Sequence, residues 1–272
     1  MSGVLMRVIL PAIALTLLLA PAAQAQELVL TQAAEPMAYQ IKEVEPDVRG
    51  IAPGMTETQA RAELAKLYPS ARPEAVSASV TYADAGRIYR SKPLLAQLSV
   101  RQTTAAAEDE LTLSFGLPTT GTPVLGLARR MDFPNGPAAP TMAQLTAQVT
   151  GKYGPPAVRR PGVGPGGVTL IWLFGAGKGR TCGGKAPACP FISPAFSIAR
   201  LDAYRALVAD GFELMIQVDL IGQGADPARV KSFKTVIADN RGAVQTYEAA
   251  QSQIIALLAA AEKAGPGGMP RL

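Results

Sequence analysis

Few residue types are available for chemistry, because the chain of 272 residues contains no histidine. A Ser-His-Asp or Cys-His nucleophile, a histidine-ligated zinc ion and a histidine general base are therefore excluded. The Ser-x-x-Lys spacing of serine–lysine enzymes does not occur in the chain either. Carboxylates are the side chains that remain for acid–base chemistry.

Two groups of carboxylates deserve a test. Glu108, Asp109 and Glu110 form the densest group and follow "TTAAA" at the start of a predicted strand, so we expect a solvated turn. Glu213 and Asp219 fall on the polar face of one predicted strand, and a glycosidase mechanism would depend on the separation of their carboxyl groups. We expect no catalytic residue, no metal and no other cofactor, and we keep a carboxylate-dependent glycan hydrolase only as a third hypothesis.

The two cysteines and the glycine-rich loops favour structural roles. Cys182 and Cys189 stand six residues apart in "RTCGGKAPACPF", and in an oxidising compartment we expect them to form a disulfide. The segment "GVGPGG" (162–167) has glycines in a dinucleotide-site pattern, but a strand rather than a helix follows it. "GRTCGGKA" (179–186) lacks the hydroxyl residue of a phosphate loop. Both segments are predicted to be loops with positive φ angles.

The first 25 residues predict an extracytoplasmic protein. Arg7 precedes an apolar run, residues 8–20, and Ala-Gln-Ala closes the segment, which is the pattern of a secretory signal peptide. The run is too short to span a bilayer comfortably. We expect a periplasmic or secreted chain that begins at Gln26 and has no lipid anchor and no transmembrane span.

Charge is distributed unevenly along the chain. No acidic residue occurs between Phe133 and Leu201, where the basic residues include the candidate binding residues Arg159, Arg160, Lys178, Arg180 and Lys185. A basic surface would attract lipid headgroups, an anionic envelope polysaccharide or an acidic protein. Nucleic acid is not expected, because the aromatic residues of a stacking platform are missing. Trp172, in "TLIWLF", is a secondary candidate for an interface, although a core position is the simpler interpretation.

Two helix starts share one pattern. Thr56 and Gln59 form a capping box, and Thr141 and Gln144 form a second one. Each predicted helix ends near a tyrosine, so that Thr, Gln and Tyr recur at a spacing of 85 residues (56 and 141, 59 and 144, 68 and 153). Strand-like segments follow each helix, at 75–83, 94–102, 110–116 and 123–133, and then at 168–175, 195–201 and 211–222.

The pattern of elements predicts an α+β fold, because strands follow strands. We expect two helix-plus-antiparallel-sheet units in tandem, residues 26–135 and 136–224, with a short helix at 200–210. For the last part, residues 225–272, we expect two C-terminal helices and a frayed tail. Asp226-Pro227 is a good helix start, and Val230, Phe233 and Ile237 share one helical face.

The segment "GIAPGMTETQARAEL" resembles the start of the small envelope lipoproteins of outer-membrane assembly, the SmpA/OmlA type, through Gly54, Met55 and Thr56. Trp172 in "IWLF" is similar to the tryptophan-bearing strand of that family. A duplicated unit of this kind resembles the secreted β-lactamase-inhibitor proteins. The resemblance implies a helix-plus-sheet scaffold that binds partners. It transfers no catalytic residue, and the lipid-attachment cysteine is absent.

These observations lead to three functional hypotheses. The first is a non-catalytic binding or scaffold protein that engages an anionic envelope component or a protein partner through the basic surface. The second is a secreted inhibitor whose disulfide loop, residues 182–189, enters the cleft of another protein, since a rigid loop loses little entropy on binding. The third is the glycan hydrolase.

Overall fold

The computed structural model of the chain describes residues 26–36, 44–84, 87–175, 182 and 189–264. Within these ranges, helices pack against a large antiparallel sheet and a small mixed sheet, which confirms the predicted α+β class. The predicted leader and the predicted frayed tail lie outside the described residues. Among the described helices, none has both the length and the hydropathy needed to cross a lipid bilayer.

The described helices are α1 (Glu57–Leu67), α2 (Met142–Tyr153), α3 (Leu201–Ala209) and α4 (Asn240–Ala264). Both predicted capping boxes are confirmed. The Thr56 hydroxyl accepts a hydrogen bond from the backbone N–H of Gln59, and the Gln59 side chain accepts one from the backbone N–H of Thr56. Thr141 and Gln144 make the same two bonds. Each box therefore pairs two N–H groups that a helix start leaves without intrahelical partners.

The strands form two sheets. They are β1 (Gln26–Leu28), β2 (Glu74–Ala78), β3 (Thr81–Asp84), β4 (Arg87–Ser91), β5 (Leu94–Thr103), β6 (Glu108–Phe115), β7 (Val124–Asp132), β8 (Val158–Pro161), β9 (Val168–Phe174), β10 (Leu214–Gly222) and β11 (Val230–Asp239). The large sheet has the order β2-β5-β6-β7-β11-β10-β9-β8 and is antiparallel throughout. The small sheet has the order β1-β4-β3.

In the large sheet, successive strands of the chain lie progressively closer to the centre, starting from each edge. Strands that follow α1 fill one half, and strands that follow α2 fill the other half. The last strand of each half, β7 and β11, meet in the middle, where Arg129 lies opposite Thr235 and Met131 lies opposite Phe233. The two parts of the chain therefore share one continuous sheet.

One face of the large sheet carries the main hydrophobic core. Alternate residues of the strands, such as Leu111, Leu127 and Ile216, are buried there with Leu64 of α1 and Val149 of α2. Burial of such side chains stabilises the fold by about 1.5–3 kcal/mol each. The two capped helices are thus held on this face.

The opposite face of the large sheet is covered only in part. Segment 189–197 crosses it, and a Cβ atom on Gly126 of β7 would collide with the carbonyl of Pro194, so this crossing requires glycine. Helix α4 packs beside α3 through Tyr247 and Tyr204. The same face carries a row of polar residues, one from each of seven neighbouring strands. They are Arg160, Thr169, Asp219, Lys234, Arg130, Glu110 and Arg101, of which Thr169 is buried.

The prediction of a helix after Asp226 is wrong, because residues 230–239 form strand β11. Val230, Phe233 and Ile237 fit a helical face, but Val236 and Ala238 are buried on the other face of the same strand. A central strand with both faces covered shows no clear alternation, and the β-branched residues of this segment favour a strand. The C-terminal part is therefore a strand and one long helix, not a helical appendix.

Two other boundaries differ from the prediction. The segment 75–83 is divided between β2 of the large sheet and β3 of the small sheet. The segment 195–201 is not a strand, because a single 3-10 turn, Ile198–Arg200, leads directly into α3. The Ser197 hydroxyl accepts a hydrogen bond from the backbone N–H of Ala199 and so begins this turn. The short helix predicted at 200–210 is confirmed as α3.

A buried carboxyl group joins β11 to α4. The Oδ1 atom of Asp239 accepts a hydrogen bond from the backbone N–H of Gly242 at 2.8 Å, which caps the helix. Burial raises the pKa of Asp239 to about 7, and Glu213 adds to the rise, while the N–H of Gly242 and the charge of Arg241 oppose it. The carboxyl group therefore titrates near neutral pH.

We expect Asp239→Asn to change how stability depends on pH. Folding raises the pKa of Asp239 from its ordinary value of 3.8, so the stabilisation that the protonated carboxyl provides is full below that value and is lost as the pH rises through about 7. Asparagine caps about as well and does not titrate. The variant should match the parent at about pH 4 and exceed it at about pH 8.5 by a few kcal/mol, since each pKa unit is worth about 1.4 kcal/mol. Urea denaturation at both pH values measures this, and a difference independent of pH would contradict it.

Candidate functional site

The structure describes two of the five predicted basic residues. Arg159 and Arg160 lie on the edge strand β8 and are exposed. Arg159 pairs with Leu170 on the helix-bearing face and Arg160 pairs with Thr169 on the opposite face, so their side chains point to opposite sides of the sheet. Lys178, Arg180 and Lys185 lie outside the described residues. The two described arginines thus do not form one patch.

Trp172 lies in the main core and is 2% exposed. Its indole N–H donates a hydrogen bond to the carbonyl of Gly154 at 2.9 Å, and its ring meets Tyr153 edge-on at a centroid distance of 5.5 Å. The side chain therefore has no surface for direct contact with a partner. Its role is to pack the end of α2 against β9.

The predicted disulfide between Cys182 and Cys189 is confirmed. Cys182 is buried, and both cysteines pack against a cluster on the second face of the sheet that includes Ile171 and Met215. Phe191, two residues after Cys189, is 83% exposed. An exposed phenylalanine therefore lies close in sequence to a disulfide that packs in a hydrophobic cluster.

The expectation of a solvated turn at residues 108–110 is wrong, because this segment begins strand β6. Glu108 and Glu110 form exposed ion pairs with Arg101. Asp109 points to the opposite face and is 9% exposed. Strand alternation therefore separates three consecutive acids into a surface pair and one buried carboxylate.

Asp109 is held by three side chains. Arg129 donates two hydrogen bonds to it, Nε to Oδ1 and Nη2 to Oδ2, both at 2.9 Å. The Tyr68 hydroxyl donates to Oδ2 at 3.2 Å, and Nη1 of Arg49 approaches the same oxygen at 3.4 Å. The bidentate Arg129 contact is the strong one, because both groups are charged and the geometry is planar.

The electrostatics of this cluster keep Tyr68 neutral and Arg129 cationic. Burial raises the pKa of Tyr68, and the charge of Asp109 raises it further. Burial alone would lower the pKa of Arg129, but its hydrogen bonds to Asp109 and the charge of Asp109 outweigh that effect and raise it. The tyrosine stays neutral and the arginine stays cationic, so neither group is suited to act as a general base.

A tight turn places Arg49 beside this cluster. Val48 and Ile51 pair across it, and the central residues Arg49 and Gly50 both have positive φ, 56° and 86°, as a type I′ turn requires. Oδ1 of Asp47 accepts a hydrogen bond from the backbone N–H of Gly50 at 2.6 Å. Positive φ is unfavourable for a long side chain such as arginine.

The end of α2 holds the same turn from the other side. Nζ of Lys152 lies 2.9 Å from Oδ1 of Asp47, and the Tyr153 hydroxyl donates to the carbonyl of Asp47 at 2.8 Å. Burial raises the pKa of Tyr153, with a smaller contribution from the charge of Asp47. The turn therefore lies between the ends of α1 and α2, where it contacts Tyr68 and Tyr153.

A pocket of about 420 Å³ opens between α2, this turn and the β7–β11 pair. Its apolar lining consists of Val48, Met131, Phe133, Pro140, Leu145, Val149 and Phe233. Its polar lining consists of Arg49, Arg129, Gln148, Lys152, Tyr153 and Thr235. Three cations thus line the pocket and no carboxylate does, among the residues that the structure describes.

The two acids considered for glycoside hydrolysis do not form a catalytic pair. Glu213 directly precedes β10 and forms an ion pair with Arg241. Asp219 lies towards the other end of the strand and accepts hydrogen bonds from Thr169 and Gln217. Six residues of extended strand separate them by about 20 Å, beyond the roughly 5–9.5 Å of glycosidases. No cluster of three metal-ligating side chains occurs within the described ranges.

Comparison with protein families, with curated proteins and with solved structures finds no match for this chain. The class of protein therefore has to be argued from the geometry of the pocket. Sequence reasoning missed Arg49, Arg129 and Asp109 as parts of a site. The sequence did contain one indication of the site, the Arg49-Gly50 pair. Arginine stands there at a turn position that asparagine or glycine usually occupies.

We expect Arg129→Met to destabilise the fold strongly. The variant keeps the apolar stem but removes both strong hydrogen bonds from buried Asp109, and a buried charge that loses its partner typically costs about 3–5 kcal/mol. The matched control is Arg101→Met, which removes exposed ion pairs. The loss of these pairs should lower the free energy of unfolding by less than about 1 kcal/mol. Urea denaturation of both variants measures the difference. Equal costs would show that Asp109 does not depend on Arg129.

Proposed function

We propose that the protein is a periplasmic or secreted, non-catalytic binding protein that takes an anionic ligand of the cell envelope in the pocket beside α2. The leader pattern and the disulfide are compatible with that location. The observation that carries the proposal is the lining of the pocket, where Arg49, Arg129 and Lys152 meet an otherwise largely apolar wall. Apolar pockets with a few convergent polar groups are the usual form of small-molecule sites.

The charges around the pocket favour an anion. Three cations face two carboxylates, Asp47 and Asp109, so one positive charge is in excess. Arg49 and Lys152 are exposed at the rim, and each still has N–H donors beyond its contact with a carboxylate. A ligand carboxylate or phosphate would receive charge-assisted hydrogen bonds from both.

We also propose that the two halves of the sheet are related repeats, as the spacing of 85 residues and the resemblance to duplicated inhibitor proteins suggest. Each capping threonine pairs with the residue before the last strand of its half, Thr56 with Pro123 and Thr141 with Arg229. Each half contributes a capped helix and four strands. In this arrangement the pocket floor lies where the two repeats meet.

The first test is anion binding by charge-neutralised variants. The change is Arg49→Gln with Lys152→Gln, and the matched control is Arg159→Gln with Arg160→Gln on the edge strand. We expect anions from a panel of carboxylates, phosphates and sulfates to raise the melting temperature of the parent, because a ligand that binds only the folded state stabilises it. The shift should weaken with salt and disappear in the pocket variant only. Differential scanning fluorimetry at low and high salt measures it.

Each other outcome has a distinct meaning. Loss of the shift in the control variant would place the site at β8, where the first sequence hypothesis put part of the basic surface. No shift with any anion for the parent protein would overturn the proposal. A shift that is equal at both salt concentrations and in all variants would show that charge does not drive binding.

Inhibition of another protein is a second candidate function, favoured by one observation. Phe191 is 83% exposed and follows a disulfide that is anchored in a hydrophobic cluster. Aromatic anchors on preorganised segments carry much of the binding energy at protein interfaces. Residues 183–188, the interior of the disulfide loop, lie outside the described residues.

The inhibitor hypothesis predicts that Phe191→Ala weakens inhibition of a target hydrolase at least about tenfold, since a central aromatic anchor is typically worth about 2 kcal/mol or more. The measurement is the inhibition constant against a panel of secreted hydrolases. Val163→Ala is the matched control, because Val163 is an apolar residue with the same 83% exposure on a different loop. Equal effects of the two substitutions, or no inhibition of any enzyme by the parent, would rule out this role for Phe191.

A further inference from the structure

The pocket beside α2 is polarised along its length. Lys152 and Tyr153 lie in the last turn of α2, whereas Leu145 lies seven residues earlier, about 10 Å along the helix axis. Strand β7 shows the same gradient, since Arg129 is followed at alternate positions by Met131 and then by Phe133 just after the strand. One end of the pocket is therefore cationic and the other end is apolar.

The floor of the apolar end is made of side chains that the fold leaves partly uncovered. Met131, Phe133 and Leu145 are only half-buried, although they pack against the main core. Phe233 lies opposite Met131 in the β7–β11 pair and also lines the pocket. Removing such surface from water is favourable in proportion to its area, so an apolar chain placed here would add to binding.

At the cationic end, Arg49 is the group that can exchange partners. Asp109 already receives two hydrogen bonds from Arg129 and one from Tyr68. The Arg49 contact with Asp109 is the longest of these at 3.4 Å, and its side chain is 37% exposed. Its guanidinium can thus turn to a ligand without leaving a buried carboxylate unpaired.

From these observations we infer that the ligand is an amphipathic anion, with an anionic head group held by Arg49 and Lys152 and an aliphatic chain under α2 on Met131, Phe133 and Leu145. This inference rests on the proposed function and adds the class of ligand. The single excess positive charge fits a singly charged head group. A carboxylate carries one negative charge, whereas a phosphate monoester carries about 1.5 to 2 near neutral pH. Both accept charge-assisted hydrogen bonds from arginine and lysine, and the experiment separates them.

The test is calorimetric titration of the purified protein with four probes, each below its critical micelle concentration. Dodecanoate and dodecyl phosphate carry the chain and an anionic head, butanoate carries the head without the chain, and dodecyltrimethylammonium carries the chain with a cationic head. We expect dodecanoate or dodecyl phosphate to bind with one site per chain. Butanoate and the cation should bind at least about tenfold more weakly, because each lacks one of the two contacts.

Variants assign the two contacts. Arg49→Gln should weaken dodecanoate binding about tenfold or more while the melting temperature of the free protein changes little, because Arg129 and Tyr68 still hold Asp109. Leu145→Asn should weaken dodecanoate binding and leave butanoate binding unchanged. Arg159→Gln is the control for charge, and it should not alter the affinity for any probe.

The outcomes separate this inference from the proposed function. If butanoate binds as tightly as dodecanoate, and Arg49→Gln weakens both, the anion site stands and the aliphatic part of the inference is overturned. If dodecyltrimethylammonium binds as tightly as dodecanoate, the head-group contact is overturned. If no anionic probe binds, both the inference and the proposed function fail. A preference between dodecanoate and dodecyl phosphate identifies the head group.

Discussion

The pairing of β7 with β11 is the interaction on which the rest of this structure depends. Residues 124–132 and 230–239 are far apart in the chain, and their antiparallel pairing turns two sets of four strands into one sheet. Without this pairing, β7 and β11 would each be an edge strand with unpaired backbone groups, which favours aggregation. The same pair forms the pocket floor through Arg129, Met131, Phe233 and Thr235. Assembly of the sheet and assembly of the candidate site are therefore one event.

The pocket on the β7–β11 pair places the charge of Arg129 below the surface, which is unfavourable unless neighbouring residues compensate for it. Arg129 is mostly buried, and a buried guanidinium needs a charged partner. Asp109, from the neighbouring strand β6, provides that partner with ideal bidentate geometry. The result is a fixed ion pair below the pocket, and more exposed cations, Arg49 and Lys152, at its rim. A fixed ion pair beneath the pocket and more exposed cations at its rim would suit the proposed anion site.

Sequence reasoning succeeded where local chemistry decides the structure. The two capping boxes, the strand at 211–222, the short helix before it and the disulfide were all predictable from neighbouring residues. It failed where tertiary packing decides. Strand β11 has residues that fit a helical face, and its central position in the sheet, with residues buried on both faces, hides the alternation that marks a strand in the sequence.

The candidate site was hidden from sequence reasoning for a related reason. Asp109 is one of three consecutive acids, and its burial follows from a strand register that a single sequence does not specify. Its partners Arg129, Tyr68 and Arg49 come from three other parts of the chain. Lys152 belongs to the acid-free stretch, but the other two cations of the pocket, Arg49 and Arg129, lie outside that stretch. Long-range contacts of this kind leave no local pattern.

Arg49 gives the most direct support for the proposed role of the pocket in binding. Its backbone has a positive φ of 56°, which costs about 1 kcal/mol or more for a residue other than glycine, asparagine or aspartate. Asp109 is already held by Arg129 and Tyr68, and the Arg49–Asp109 contact is long and partly exposed. The guanidinium also lies over the Tyr68 ring, 5.3 Å from its centroid, so the fold gains a weak ion pair and a cation–π contact in return. Asparagine would form the same turn with less strain. The proposed contact between its guanidinium and an anionic ligand would account for an arginine at this strained position.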